Sequence, residues 1–258
     1  MDDAARHAPF PTVRSDLPAA APIEWLRRGA EDFKACGAPS LFYGACFAGT
    51  GLLLFLALRH AVQLVTAVTT GFMLVGPFFA IGLYELSRRR ERGESLTLIP
   101  TLAVWRRNLA GIGIYSLILI VLYLLWARAS LVMFALFYQG GMPTLEGFLA
   151  QVAMFDNIEF MVAYLIVGAI FAGLVFAFSV VSIPMMLDRN QDSVTAMLAS
   201  FLALVRNVPT MLVWGFMIVL LTAAGIATAF IGLIVTMPLV GHATWHAYRA
   251  LIEPGETT

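Results

Sequence analysis

Two histidines four residues apart, His242 and His246, have the spacing in this chain that most suggests chemistry. On a helix they share one face, and two imidazoles so placed can ligate a metal ion or sit beside a haem. The neighbouring sequence offers Trp245 and Tyr248 but no acid or cysteine to complete a ligand set. The pair therefore reads first as interfacial polar residues beside lipid headgroups and second as ligands. Glu85 precedes Arg88 and Arg89 by three and four positions, the spacing of a local ion pair on a helix. Asp188 adjoins Arg189, with Asp192 one turn on, and Arg249 stands near the C-terminus. All of these read as charges where membrane gives way to cytoplasm.

A proton or ion path needs ionisable groups well inside the membrane. The apolar segments offer only hydroxyls there, such as Thr66, Thr69, Thr70, Ser179 and Ser182. No phosphate-binding loop, serine-nucleophile elbow, zinc-protease helix or dinucleotide motif is present. Cys36 and Cys46, ten positions apart, lie roughly 80° from facing each other on a straight helix and read as small packing residues. No catalytic residue and no cofactor follow from these patterns.

The elements that carry these residues are apolar. Of 258 residues, 60% are apolar and 12% charged, a surplus over a soluble domain that has to face lipid. Sixteen basic and sixteen acidic residues balance, which gives no footprint for nucleic acid. Residues 1–22 carry scattered prolines and charges and no signal peptide, and they read as a disordered tail. Spans are expected at Leu41–Leu58, Ala61–Leu86, Leu109–Ala127 and Met161–Leu187. Val208–Tyr248 is one apolar stretch of 41 residues, about 60 Å as a single helix. It must fold back, and Ala223-Ala224-Gly225 is the expected place, so the total is six. Residues 129–138 are too short to span and read as an extension of the third helix or an interfacial stretch, with Tyr123, Trp126 and Tyr138 suited to a headgroup belt.

Fourteen of the sixteen basic residues fall on one side of this arrangement, leaving Arg59 and Arg128 on the other. The positive-inside rule puts the fourteen, and both termini, in the cytoplasm. The expected setting is a bacterial inner membrane.

The six helices read as three tandem hairpins, residues 23–90, 95–190 and 192–250, each led by a cytoplasmic interfacial helix. Phe33-Lys34, Trp105-Arg106 and Leu204-Val205-Arg206 open the three units, and Tyr43, Tyr115 and Trp214 each follow ten positions on. Pro77, Pro184 and Pro238 sit in the second helices. There they act as packing kinks or, in a carrier, as broken helices around a central site. Small residues four apart, Gly44/Ala48, Ala45/Gly49, Gly168/Ala172 and Ala169/Gly173, suit close helix contact.

Residues 71–89 (Gly-Phe-Met-Leu-Val-Gly-Pro-Phe-Phe-Ala-Ile-Gly-Leu-Tyr-Glu-Leu-Ser-Arg-Arg), Asp188 to Met197 and 241–249 (Gly-His-Ala-Thr-Trp-His-Ala-Tyr-Arg) carry a resemblance. Over roughly residues 22–252 the chain resembles the bacterial integral-membrane family catalogued as domain of unknown function 2189. The resemblance implies a six-helix inner-membrane protein and assigns no functional residue. The fold expected is all-α, a six-helix transmembrane domain over 23–252 with a short C-terminal tail, 253–258. The function favoured is a non-enzymatic structural, accessory or assembly component, in contact with the lipid bilayer and with other membrane proteins or copies of itself. A transporter or channel with a site among the prolines is the first alternative. A haem- or metal-associated protein using His242 and His246 is the second.

Overall fold

The computed structural model describes residues 10–60, 79–137 and 157–253. Pro77, most of the expected second span, Tyr138 and residues 1–9 and 254–258 lie outside them. Among the described residues the regular structure is helical, apart from one isolated bridge between Val13 and Ile252.

Helix α1, Ala21–Cys36, starts on Pro22, where a missing N–H costs nothing. Its buried residues are Pro22, Trp25, Gly29, Asp32 and Cys36, one stripe at three- and four-residue spacing. The outer face carries Glu24, paired with Arg27 and Arg28. Gly37, at φ 54°, ends the helix, and the chain turns into α2, Ala38–His60. Helix α3 covers the described residues 79–91, of which 81–88 are all buried. A short turn, α4 (Leu98–Thr101), and a 3-10 turn over Val104–Asn108 lead into α5, Leu109–Phe137. Residues 129–137 thus extend the third expected span. Helix α6 is Ile158–Ser179, capped by Asn157 accepting from the Phe160 N–H.

The expected fourth span is not continuous. It breaks at Val180-Val181 and resumes as α7, Ser182–Arg189. Hydroxyls hold the broken backbone: Ser200 Oγ donates to the Ala177 carbonyl at 2.7 Å, and Ser182 Oγ to that of Phe178 at 2.5 Å. Pro184 is the third residue of α7, so its missing N–H removes no intrahelical bond, and it is not a kink within a longer helix. Helix α8, Ser193–Arg206, is capped by Asp192, which accepts from the Thr195 N–H at 2.9 Å. Asp192 is thus a cap and not a partner of Arg189.

Helix α9, Val208–Ala227, runs through Ala223-Ala224-Gly225, so the fold-back lies later, at 228–232. Ala229 and Phe230 take positive φ there, and Thr228 Oγ1 accepts from the Gly232 N–H at 2.7 Å. Gly225 serves packing instead: a Cβ on it would meet Leu233 Cδ2 at 2.5 Å.

Helix α10, Leu233–Leu251, is the axis on which α1, α2 and α9 pack. Residues 240–248 are buried on every side. A Cβ on Gly29 would lie 2.7 Å from Ala243 N, and one on Gly44 only 2.0 Å from Ile234 O. That carbonyl is the one Pro238, four residues on, leaves without its helical donor. The Cα–H of Gly44 points at it, so a neighbouring backbone covers the group the proline frees. Of the small-residue positions, Gly44 therefore makes close contact, whereas Gly49 and Gly173 have nothing within 4 Å of a Cβ position.

Four segments are long and apolar enough to cross a membrane: Ala38–Ala57, Leu98–Phe137, Ile158–Arg189 and Val208–Ala227. Helix α10 is not among them, because its second half is surrounded by protein and carries His, Thr, Trp and Tyr in place of aliphatic residues.

The tail expected to be disordered is docked in its described part. Val13 is buried, Arg14 N–H donates to the Leu251 carbonyl and Glu253 N–H to that of Thr12. Asn207 Nδ2 donates to the Arg14 carbonyl, and Thr210 Oγ1 to that of Leu17. With its backbone groups paired this way, the segment closes the end of the α9–α10 hairpin.

Candidate functional site

Four segments send polar side chains into one enclosed space. Asp32 comes from the buried stripe of α1, Ser40 from the first turn of α2, and Ser87 and Arg90 from α3. His242 and His246 come from α10. Asp32, Ser40, Ser87 and His242 are each at most 2% exposed, so every hydrogen-bonding atom needs a protein partner.

The protons can be assigned in order. Arg90 donates to Asp32 Oδ1, and His246 Nε2 lies 2.9 Å from Oδ2. An ionised carboxylate only accepts, so Ser87 Oγ, 2.5 Å from Oδ2, must donate to it. Its single hydrogen is then used, and His242 Nδ1, 2.8 Å from Ser87 Oγ, must carry a proton and donate. A neutral His242 leaves Nε2 as an acceptor, which receives the Ser40 hydroxyl at 2.8 Å. The result is a directed chain, Ser40 to His242 to Ser87 to Asp32, closed by His246 and Arg90. It resembles a proton relay in its order, but it starts on the buried Ser40 hydroxyl and ends on a carboxylate paired with Arg90, and its effect is to tie α1, α2 and α3 to α10.

Burial alone would raise the Asp32 carboxyl, but hydrogen bonds from His246, Ser87 and Arg90 outweigh it and hold the group below its ordinary value of 3.8. A depressed carboxylate stabilises the fold above its unfolded value, and the contribution fades as pH falls through the folded value. Thermal unfolding in detergent should therefore show a stability term that is present at neutral pH and lost as the pH falls below the ordinary carboxylate value of 3.8 and through the lowered folded value. Asp32→Asn should remove that acid-limb dependence.

This arrangement corrects the reading of His242 and His246 as residues beside headgroups. Both are enclosed by protein, and an acid, Asp32, does stand beside them. Both ring nitrogens of His242 already face serines, and His246 Nε2 faces Asp32. Among the described residues no group of three or more His, Cys, Asp and Glu is placed to hold a metal ion.

The flanking charges sit at the same end of the molecule. Glu85, 1% exposed in its side chain, accepts from Arg88 Nε at 2.7 Å and Arg89 Nε at 2.9 Å, with Arg107 at 3.9 Å. Asp188 does not pair with its neighbour Arg189. It accepts from Tyr248 Oη at 2.9 Å and lies 3.6 Å from Arg249 and 3.8 Å from Arg92. Arg189 turns to Tyr248 Oη, at 3.1 Å. These pairs join α3, α7 and α10 across long sequence separations. Pro184 and Pro238 are both buried, but they are not brought together with the histidines into one site.

Asp32, Ser40 and Ser87 were missed from the sequence. The available signal was Asp32 itself, a carboxylate on the apolar stripe of an amphipathic helix, where an unpaired charge is untenable.

A family model described as a predicted integral membrane protein matches residues 64–188. Over that stretch the chain is similar to the DUF2189 family. The match is narrower than the resemblance over 22–252. It contains Glu85, Ser87 and Arg90 with helices α5 to α7, while Asp32, His242 and His246 stand outside it. No curated protein and no solved structure matches the chain. With this match and several helices apolar enough to span a bilayer, the chain is an integral membrane protein.

Proposed function

We propose that this protein is a non-enzymatic structural or accessory component of a bacterial inner membrane, crossing it six times with both ends in the cytoplasm. The observation that carries this reading is the closed polar network: Asp32, Ser40, Ser87 and His242 are buried and spend their donors and acceptors on one another, on His246 and on Arg90, the one member that reaches solvent. Arg88, Arg89, Arg90, Arg92, Arg107, Arg189 and Arg249 meet at one end of the molecule, which suits a cytoplasmic face. Helix α10, paired antiparallel with α9 through the turn at 228–232, would supply the sixth crossing from within the protein. The three-hairpin organisation is supported by Tyr43, Tyr115 and Trp214, which hold corresponding positions and are all buried. The haem or metal reading would require His242 to give up both serine partners.

Gentle purification of the full chain, with an absorption spectrum and mass spectrometry, tests the function. The expected sample is colourless and metal-free and retains a second membrane protein in defined ratio. A Soret band or bound metal that disappears in His242→Ala would overturn the reading, and so would a lone monomer after cross-linking in the membrane.

A further inference from the structure

Helices α5 and α6 pack together, but α9 does not close on them. Between them lies a cleft of about 720 Å³, open on one side, within the size range of specific small-molecule sites. Its walls include Trp126, Phe171, Phe176, Met211 and Phe216, with Ser179 at one end. Gly168, Ala172 and Gly173, whose spacing suggested a helix–helix contact, line this space instead. A Cβ on Gly173 would have no neighbour within 4 Å, and one on Gly215 would meet Phe176 no closer than 3.6 Å.

We propose that the cleft holds one acyl chain of a membrane phospholipid from the leaflet at the arginine-rich end. Three features of the cleft select that occupant. The lining is continuous with the outward faces of the same helices, where Leu124, Leu165, Leu212 and Val219 are exposed and bilayer lipid is the solvent. From Gly168 to Ser179 the cleft runs about 16 Å along α6, close to half of a hydrocarbon core of about 30 Å, so one leaflet's chain fits its length. Ser179, at the end nearer the charged cluster, accepts the Tyr115 hydroxyl at 2.6 Å and keeps its own hydrogen for an ester carbonyl. Left empty, apolar walls of this extent would forfeit their dispersion contacts.

The inference depends on the helices spanning a membrane and not on the accessory role. Its test is photo-crosslinking of the full chain in phosphatidylethanolamine–phosphatidylglycerol vesicles that contain a phospholipid with a mid-chain diazirine. Adducts should concentrate on Phe171, Phe176 and Phe216. Gly173→Leu/Gly215→Leu, which fills open space, should lose most of them while adducts at Leu124 and Leu165 persist. If the double variant does not accumulate, Gly215→Leu alone carries the comparison. Adducts spread evenly over the outward faces, or unchanged in the filled variant, would overturn the proposal, as would chain-to-chain links showing a second copy in the cleft. No adducts anywhere would instead sink the membrane reading itself.

Discussion

Replacing Asp32 with alanine should destabilise the protein by about 3 kcal/mol, read as a lower unfolding temperature in detergent by tryptophan fluorescence. Removing one partner of a buried charge pair generally costs about 3–5 kcal/mol. Arg90 is 37% exposed in its side chain and can turn toward water, which places this site at the lower end. Most of the loss arises at Ser87 and His246, which would be left without an acceptor inside the protein. Glu31→Ala is the control: Glu31 pairs with Arg27 on the open face of the same helix, the two side chains 46% and 61% exposed, and solvent screening leaves such pairs with little effect on stability. An equal loss in the two variants would mean that the network does not hold α1 to α10.

Gly44→Ala is expected to have the second large effect. A Cβ there would lie 2.0 Å from the Ile234 carbonyl oxygen, so α2 must move off α10. Backbone cannot yield as a side chain does, and forced overpacking costs about 1–3 kcal/mol. The shift would also uncover the carbonyl that Pro238 leaves without a donor, adding a polar group exposed to an apolar surrounding. Gly49→Ala, five residues further on the same helix, meets nothing within 4 Å and should be neutral or mildly stabilising through helix propensity. Melting both variants in one detergent separates the contact from the propensity; equal behaviour would contradict the close approach of α2 to α10.

Local physics was readable in the residues and distant pairing was not. The start of α5 at Leu109, the extension to Phe137 and the Glu85 pairs with Arg88 and Arg89 all depend on spacing within one helix. The partner of His246 is Asp32, 214 positions away, and no helical periodicity encodes that meeting. The fold-back was expected at Ala223-Ala224-Gly225 because small residues there resemble a break. Gly225 is small because Leu233 leans on it, and the turn is made three residues later by Thr228. Helix α10 is too polar to stand among the apolar spans because protein, not lipid, surrounds its second half. Composition made the N-terminal segment read as disordered; its order comes from Asn207 and Thr210, whose side chains bind its backbone carbonyls.

The claim on which the rest depends is that α9 leaves the cytoplasmic side and α10, despite its polarity, returns to it. A periplasm-active phosphatase fused after Thr228 and, separately, after Thr258 measures this directly. The expected result is an active enzyme at Thr228 and a silent one at Thr258, with equal accumulation of both fusions. Activity after Thr258, or silence at Thr228, would contradict the account.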